Sequence, residues 1–138
     1  PLFGELAVLG CNAFAGMATW TASAKGLSKE VKEGLTFPYN NWQNRIATLK
    51  FVHDIPLKES HPSYQSLVKV EEGLTSLSEK DMLICWGEKD FCFTPNFRKE
   101  WQRRFPNAIV HAWDDIGHYV IEDAPERFIS TMTAWLQE

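Results

Sequence analysis

Two short stretches of this chain hold residue types that do chemistry together. Gly87-Glu88-Lys89-Asp90 follows the apolar run Met82–Trp86, and Gly117-His118 follows the apolar run Ala108–Trp113. A carboxylate bonded to one imidazole nitrogen fixes the tautomer of the ring and stabilises the imidazolium, so the other nitrogen becomes a general base. Asp90 and His118 are therefore the candidate catalytic pair. Taken singly, W-G-x-x-D also describes a turn aspartate, and a Gly-His pair is no more telling. Both together, each just past a strand-like run, point to two groups on one rim.

A shared rim needs elements that deliver both residues to it. A short continuous apolar run ending in glycine is the pattern of a parallel strand covered on both faces, and both Met82–Trp86 and Ala108–Trp113 are strand candidates. Thr94-Pro95 opens a helix between them, with Phe97 and Trp101 as an i,i+4 pair. Asp123 and Glu126 form a D-x-x-E capping pattern for a second helix, with Pro125 in its first turn. Phe128, Ile129, Met132, Trp135 and Leu136 mark its apolar face. Strand, helix, strand, helix calls for a parallel α/β sheet, whose functional groups gather beyond the carboxyl ends of the strands. Asp90 and His118, 28 positions apart, then meet there.

Residues 1 to about 80 differ in character and read as helices and loops. Ala13–Lys25 is a helix stopping near Gly26, and Ser28 caps a short helix over Lys29–Glu33. Phe37-Pro38-Tyr39 breaks the chain. Asn40 or Asn41 caps a helix to about His53, with Trp42, Ile46 and Leu49 on one face. Pro62 stands in the first turn of a helix over Ser63–Leu74. Two buried parallel strands alone leave an apolar sheet edge bare, a liability in water. The sheet is expected to be completed by an N-terminal half, a second chain or a self-associated copy.

Composition narrows the field. The 138 residues include 14 Lys+Arg and 18 Asp+Glu, a formal net charge of -4, which argues against a nucleic-acid partner. Hydrophobic residues are 44% and charged residues 23%, a globular balance, and six Trp with nine Phe provide area for a core. No apolar stretch has membrane-spanning length, and PLFGELAVLG lacks the basic start of a signal peptide. The chain begins at Pro1 without Met, as a processed chain or a piece of a longer one would. Cys11, Cys85 and Cys92 are odd in number and form no C-x-x-C. A disulfide framework or metal site is not expected, and the setting reads as reducing and cytoplasmic.

C-W-G-E-K-D-F-C-F-T (85–94), F-P-N-A (105–108) and D-I-G-H-Y-V-I-E-D-A-P-E (115–126) resemble the C-terminal part of an α/β-hydrolase of the haloalkane dehalogenase-like branch. That branch includes epoxide hydrolase relatives and β-lactone decarboxylases. P-Y-N-N-W-Q-N-R-I-A-T (38–48) through F-V-H-D-I-P-L (51–57) is similar to the helical cap of the same branch and its return. One departure is Ile116, where a small residue commonly precedes the Gly-His pair.

The resemblance implies an α/β fold in which 1–80 is a helical cap segment and 81–138 the C-terminal βαβα part of the hydrolase core. It implies Asp90 as triad acid and His118 as triad base, no cofactor, and a small apolar substrate attacked through a covalent ester intermediate. Asp before His is also the chain order of that triad, in which the nucleophile comes first. No G-x-[SD]-x-G elbow and no H-G oxyanion loop occur in the 138 residues, so this chain by itself should not turn over substrate. A serine esterase on the same fold, a β-lactone decarboxylase and a non-catalytic self-associating module are the alternatives.

Several other residues have two readings. Trp42 and Phe14 either line an apolar substrate pocket or pack between helices. Trp20 either offers its indole N–H to a leaving anion or sits in the core or on the surface. His53, His61 and His111 lack partners at metal-ligand spacing and read as structural or exposed. Asp114 and Asp115 shape the turn before Gly117, and Glu122 orients the loop or the helix start. Cys92 lies beside Asp90 on the rim.

Overall fold

The structure is a computed structural model that describes residues 2–137. The chain forms two compact units. One holds residues 2–17 with Glu33–Lys80, the other Ala18–Lys32 with residues 81–137. The breaks fall after Met17, Lys32 and Lys80, and residues 18–32 fold with the second unit.

Residues 2–80 form helices and turns, of which residues 18–32 belong to the second unit. Helix α1 (Leu2–Cys11) precedes α2 (Ala13–Thr21), and Asn12 at φ 52° breaks the two apart. Asparagine is one of the few residues that tolerates this left-handed conformation. Helix α3 (Lys29–Thr36) starts where Ser28 Oγ accepts the Val31 N–H at 3.2 Å, as the capping pattern predicts. Phe37–Tyr39 is a single 3-10 turn. Of the two candidate caps for α4 (Trp42–His53), Asn41 acts, accepting the Asn44 N–H at 3.0 Å.

Arg45 fastens α4 to the end of α1. Its Nη1 donates to Leu9 O (2.8 Å) and Gly10 O (2.9 Å), and its Nε to Tyr39 O (2.8 Å). A guanidinium on the last carbonyls of a helix satisfies orphan acceptors and opposes the dipole. Helix α5 (Tyr64–Gly73) runs into a 3-10 turn at Leu74–Leu77. Pro62 is not in its first turn, because Ser63 is the N-cap and the proline precedes it.

The second unit is built on two parallel strands, β1 (Leu83–Gly87) and β2 (Ile109–Trp113), in register from Leu83↔Ile109 to Gly87↔Trp113. Helix α6 (Pro95–Arg104) connects them, and α7 (Val120–Asp123) and α8 (Pro125–Trp135) follow. The core centres on Ile116, which is 0% exposed, with Trp113, Ala124, Cys85, Val120 and Phe128 around it. Burying one such side chain stabilises by about 1.5–3 kcal/mol. Burial also raises the pKa of the Cys85 thiol, so it behaves as a small hydrophobe.

Five expectations are corrected here. The strands are not covered on both faces: in β2 only Trp113 is buried, and Ile109 is 41% exposed. The helix from Ala13 ends at Thr21, not at Lys25, because the Ala22 carbonyl accepts from Tyr119 N and the N–H groups of Ala24 and Lys25 donate to Asp123. Phe97 and Trp101 do not pair with each other. Phe97 meets Phe93 edge-on at 5.4 Å, and Trp101 stacks on Phe105 at 5.7 Å. Ile129 and Leu136 of the supposed apolar face of α8 are exposed. Asp123 does not cap α8, whose N-cap is Ala124, because its carboxylate is engaged elsewhere.

Candidate active site

The loops leaving the two strands lie against each other at the carboxyl edge of the sheet. Glu88 N donates to Trp113 O at 3.0 Å, and Lys89 N to Ile116 O at 2.9 Å. Glycine is required at both crossings. A β-carbon on Gly87 would lie 2.2 Å from Gly117 O, and one on Gly117 would lie 2.8 Å from Ala22 O. These separations are far inside van der Waals contact with backbone atoms that cannot turn away.

Asp90 is buried at the end of the first loop. Its Oδ1 accepts the backbone N–H groups of Cys92 (2.8 Å) and Phe93 (2.9 Å), a local turn closed by the side chain. Its Oδ2 faces His118 Nδ1 at 2.9 Å. A buried carboxylate can only accept here, so the proton of the neutral ring sits on Nδ1 and the Nε2 lone pair is left for chemistry. Among the described residues Nε2 has no hydrogen-bond partner, and the His118 side chain is 30% exposed. Phe93, Tyr119 and Phe91 surround the ring at centroid distances of 5.6, 5.8 and 6.4 Å. An imidazole with one nitrogen anchored and one open, walled by aromatics, can take a proton from water or a hydroxyl next to an apolar group.

The loop holding His118 is tied on both sides. Tyr119 N donates to Ala22 O at 2.9 Å. Gly117 N donates to Asp123 Oδ2 at 2.7 Å, which Ala24 N also reaches at 2.8 Å. Asp123 Oδ1 accepts from the Ser23 hydroxyl and, at 3.3 Å, from Lys25 N. Burial pushes the Asp123 pKa up, but these bonds outweigh it and hold the carboxyl below the usual aspartate value. The capping pattern misdirected the reading of Asp123, and nothing in the local sequence ties it to Ser23, 100 positions away.

The other singled-out residues make no side-chain hydrogen bond to this pair among the described residues, though the Cys92 N–H reaches Asp90 Oδ1. Trp42 and Phe14 belong to the first unit, each with nearly half its surface open (45% and 47%). Trp20 is exposed, with the Lys32 ammonium 3.5 Å from its ring centre. His61 is structural: its Nδ1 accepts Ser63 N at 3.1 Å and its Nε2 lies 3.0 Å from His53 O. His53, His111, Glu122 and Cys92 are exposed, and Asp115 pairs with Arg127 and Lys25 at the surface. Sequence reading overlooked Phe91, Phe93 and Tyr119, whose place beside His118 follows from their adjacency to the catalytic candidates. Among the described residues no three His, Cys, Asp or Glu side chains are arranged to hold a metal ion. No helix among them is long and apolar enough to cross a membrane.

A helical segment followed by two parallel strands with their helices is the C-terminal part of the haloalkane dehalogenase form of the α/β-hydrolase fold. The chain is homologous to the C-terminal portion, about 45%, of haloalkane dehalogenases and β-lactone decarboxylases. It is 38% identical to the cis-3-alkyl-4-alkyloxetan-2-one decarboxylase of Shewanella oneidensis, over 99% of this chain and 43% of that protein. It is 34% identical to the protein of the same name from Xanthomonas campestris pv. campestris, over 97% of this chain and 45% of the relative. Haloalkane dehalogenase DbeA from Bradyrhizobium elkani superposes with a TM-score of 0.87 at 25% identity, over 99% of this chain and 47% of that structure. The chain thus spans less than half the length of each of these relatives. No protein-family model matches it.

Proposed function

We propose that this chain supplies the acid and the base of a hydrolytic triad, Asp90 and His118, to an enzyme acting on small apolar substrates through a covalent ester. The observation that carries this reading is the His118 Nδ1 to Asp90 Oδ2 contact of 2.9 Å, with Asp90 itself pinned by two backbone N–H groups. The nucleophile, Asp or Ser, comes from a segment outside these 138 residues, which also completes the sheet. With a carboxylate nucleophile, attack on a substrate carbon forms the ester and expels the leaving group. His118 Nε2 then takes a proton from water, the hydroxide adds to the ester carbonyl, and the carboxylate and an alcohol separate. Residues 1–80 act as the cap, where Trp42 and Phe14 meet the apolar substrate. Free Cys11, Cys85 and Cys92 suit a reducing cytoplasmic setting.

A second reading, a strained four-membered lactone opened by the same triad with release of CO2 and an alkene, is favoured by the names of the 38% and 34% identical relatives.

The test begins with the coding DNA upstream of Pro1, read for a nucleophile elbow. The complete enzyme is then assayed for halide release from haloalkanes and for CO2 release from β-lactones. His118→Ala is expected to lower turnover by on the order of 10²–10⁴ with the circular dichroism spectrum unchanged. An unaffected rate would end the catalytic assignment. Start and stop codons bracketing this chain alone, with a stable inactive oligomer, would replace it by the self-associating module.

A further inference from the structure

We infer that Asp123 is a positioning residue for His118, acting as the clamp that binds the 22–25 strap to the histidine loop. Four donors converge on this one buried carboxylate. Three come from the strap: the Ser23 hydroxyl and the N–H groups of Ala24 and Lys25. The fourth is the N–H of Gly117, the residue immediately before His118. The residue immediately after it, Tyr119, donates to Ala22 O of the same strap at 2.9 Å. The backbone on each side of the imidazole is thereby fixed to one external segment.

Geometry at the ring needs that support. Asp90 and His118 meet through a single hydrogen bond from opposite loops, and a shift of about 1 Å in either loop separates donor from acceptor. Asp90 is held by its own loop at 92 and 93. His118 has no such local tie, and Gly117 has no side chain to contribute one. The β-carbon space at Gly117 is filled by the strap backbone and by Asp123 itself, with Asp123 Oδ2 3.2 Å from that point. Asp123 therefore sets where the His118 loop can sit, without touching the imidazole.

The inference rests on the proposed catalytic role of His118 for its purpose, and its test reads the imidazole directly, without turnover. The readout is the fraction of the neutral ring carrying its proton on Nδ1, from imidazole nitrogen shifts in the whole protein as encoded. Wild type is expected to be predominantly the Nδ1–H form. Asp123→Ala is expected to lower that fraction at least twofold, toward the mixture of an unrestrained histidine.

Asp123→Asn is expected to restore most of it. The amide oxygen can still accept from Ala24 and Gly117, while its NH₂ faces a Ser23 hydroxyl that can turn to accept, and only the long bond from Lys25 N is lost. Ser23→Ala, which removes one donor and keeps the carboxylate, is expected to shift the fraction in the same direction by less. It serves as the deciding variant where Asp123→Ala does not fold. An unmoved tautomer fraction in Asp123→Ala, or in Ser23→Ala where Asp123→Ala does not fold, with only thermal stability lowered, would overturn the inference. That result would leave the catalytic reading standing as long as His118→Ala still abolishes activity.

Discussion

The two loops that leave the sheet reach the same rim by different means. The loop after β1 is self-contained: Gly87 makes the crossing, and Asp90 folds back on the N–H groups of Cys92 and Phe93 within three residues. The loop after β2 is held from afar. Its ties run from Gly117 and Tyr119 to residues 22–25, about 100 positions earlier, through Asp123 and the Ala22 carbonyl. Both loops end in a buried carboxylate. One carboxylate keeps an oxygen for the imidazole, and the other gives both oxygens to backbone and hydroxyl donors. A carboxylate that holds an imidazole needs an acceptor left over, and a clamping one does not.

The largest way to break this comparison is at the functional oxygen. Asp90→Asn keeps an acceptor for residues 92 and 93 but presents NH₂ to Nδ1, which moves the ring proton to Nε2. The complete enzyme is expected to lose turnover by on the order of 10³–10⁴ with little change in its urea midpoint. Retained turnover would show that Asp90 is only a turn residue.

Next comes the crossing itself. Gly87→Ala places a methyl 2.2 Å from Gly117 O, so one loop must move. The expected cost is about 3 kcal/mol or more in urea unfolding, and a smaller loss would mean the loops are not fixed against each other.

The acid limb of stability tests the clamping carboxylate. Asp123 is held below its ordinary value, so its contribution is fully present above the unfolded aspartate pKa of about 3.9. It is lost as pH falls through the depressed folded value. Acid unfolding followed by circular dichroism should therefore show a shallower limb in Asp123→Asn than in wild type below about pH 4. Identical limbs would mean the four donors do not favour the charged form.

The smallest effect is expected at the rim's surface. Arg127→Gln breaks an exposed pair with Asp115, and the urea midpoint should not move measurably at physiological salt. A clear drop would mean that the second loop also depends on its outer ion pairs.

These contrasts separate what a reader of the sequence can see from what is hidden. The helix start at Ser28 was legible, and the next one to within Asn40 or Asn41, because a cap acts within three residues of itself. The strands were legible as continuous apolar runs, but their covering was not, since β2 lies largely open among the described residues. Phe97 and Trp101 had the right spacing for a pair, yet Phe93 and Phe105 compete for the same rings and win.

Sequence by itself determined the strand, helix, strand, helix order after residue 81, though not the short α7, and the residue types at each strand end. It also placed Asp90 and His118 on one rim, because apolar periodicity and turn chemistry act over a few residues and parallel strands share a carboxyl edge. Tertiary structure decided that α2 stops at Thr21, that Asp123 clamps rather than caps, and that residues 18–32 fold with the C-terminal unit. Each of these rests on backbone donors and acceptors whose partners lie far along the chain. A buried N–H must find an acceptor wherever the fold provides one, and no local pattern records which one that is.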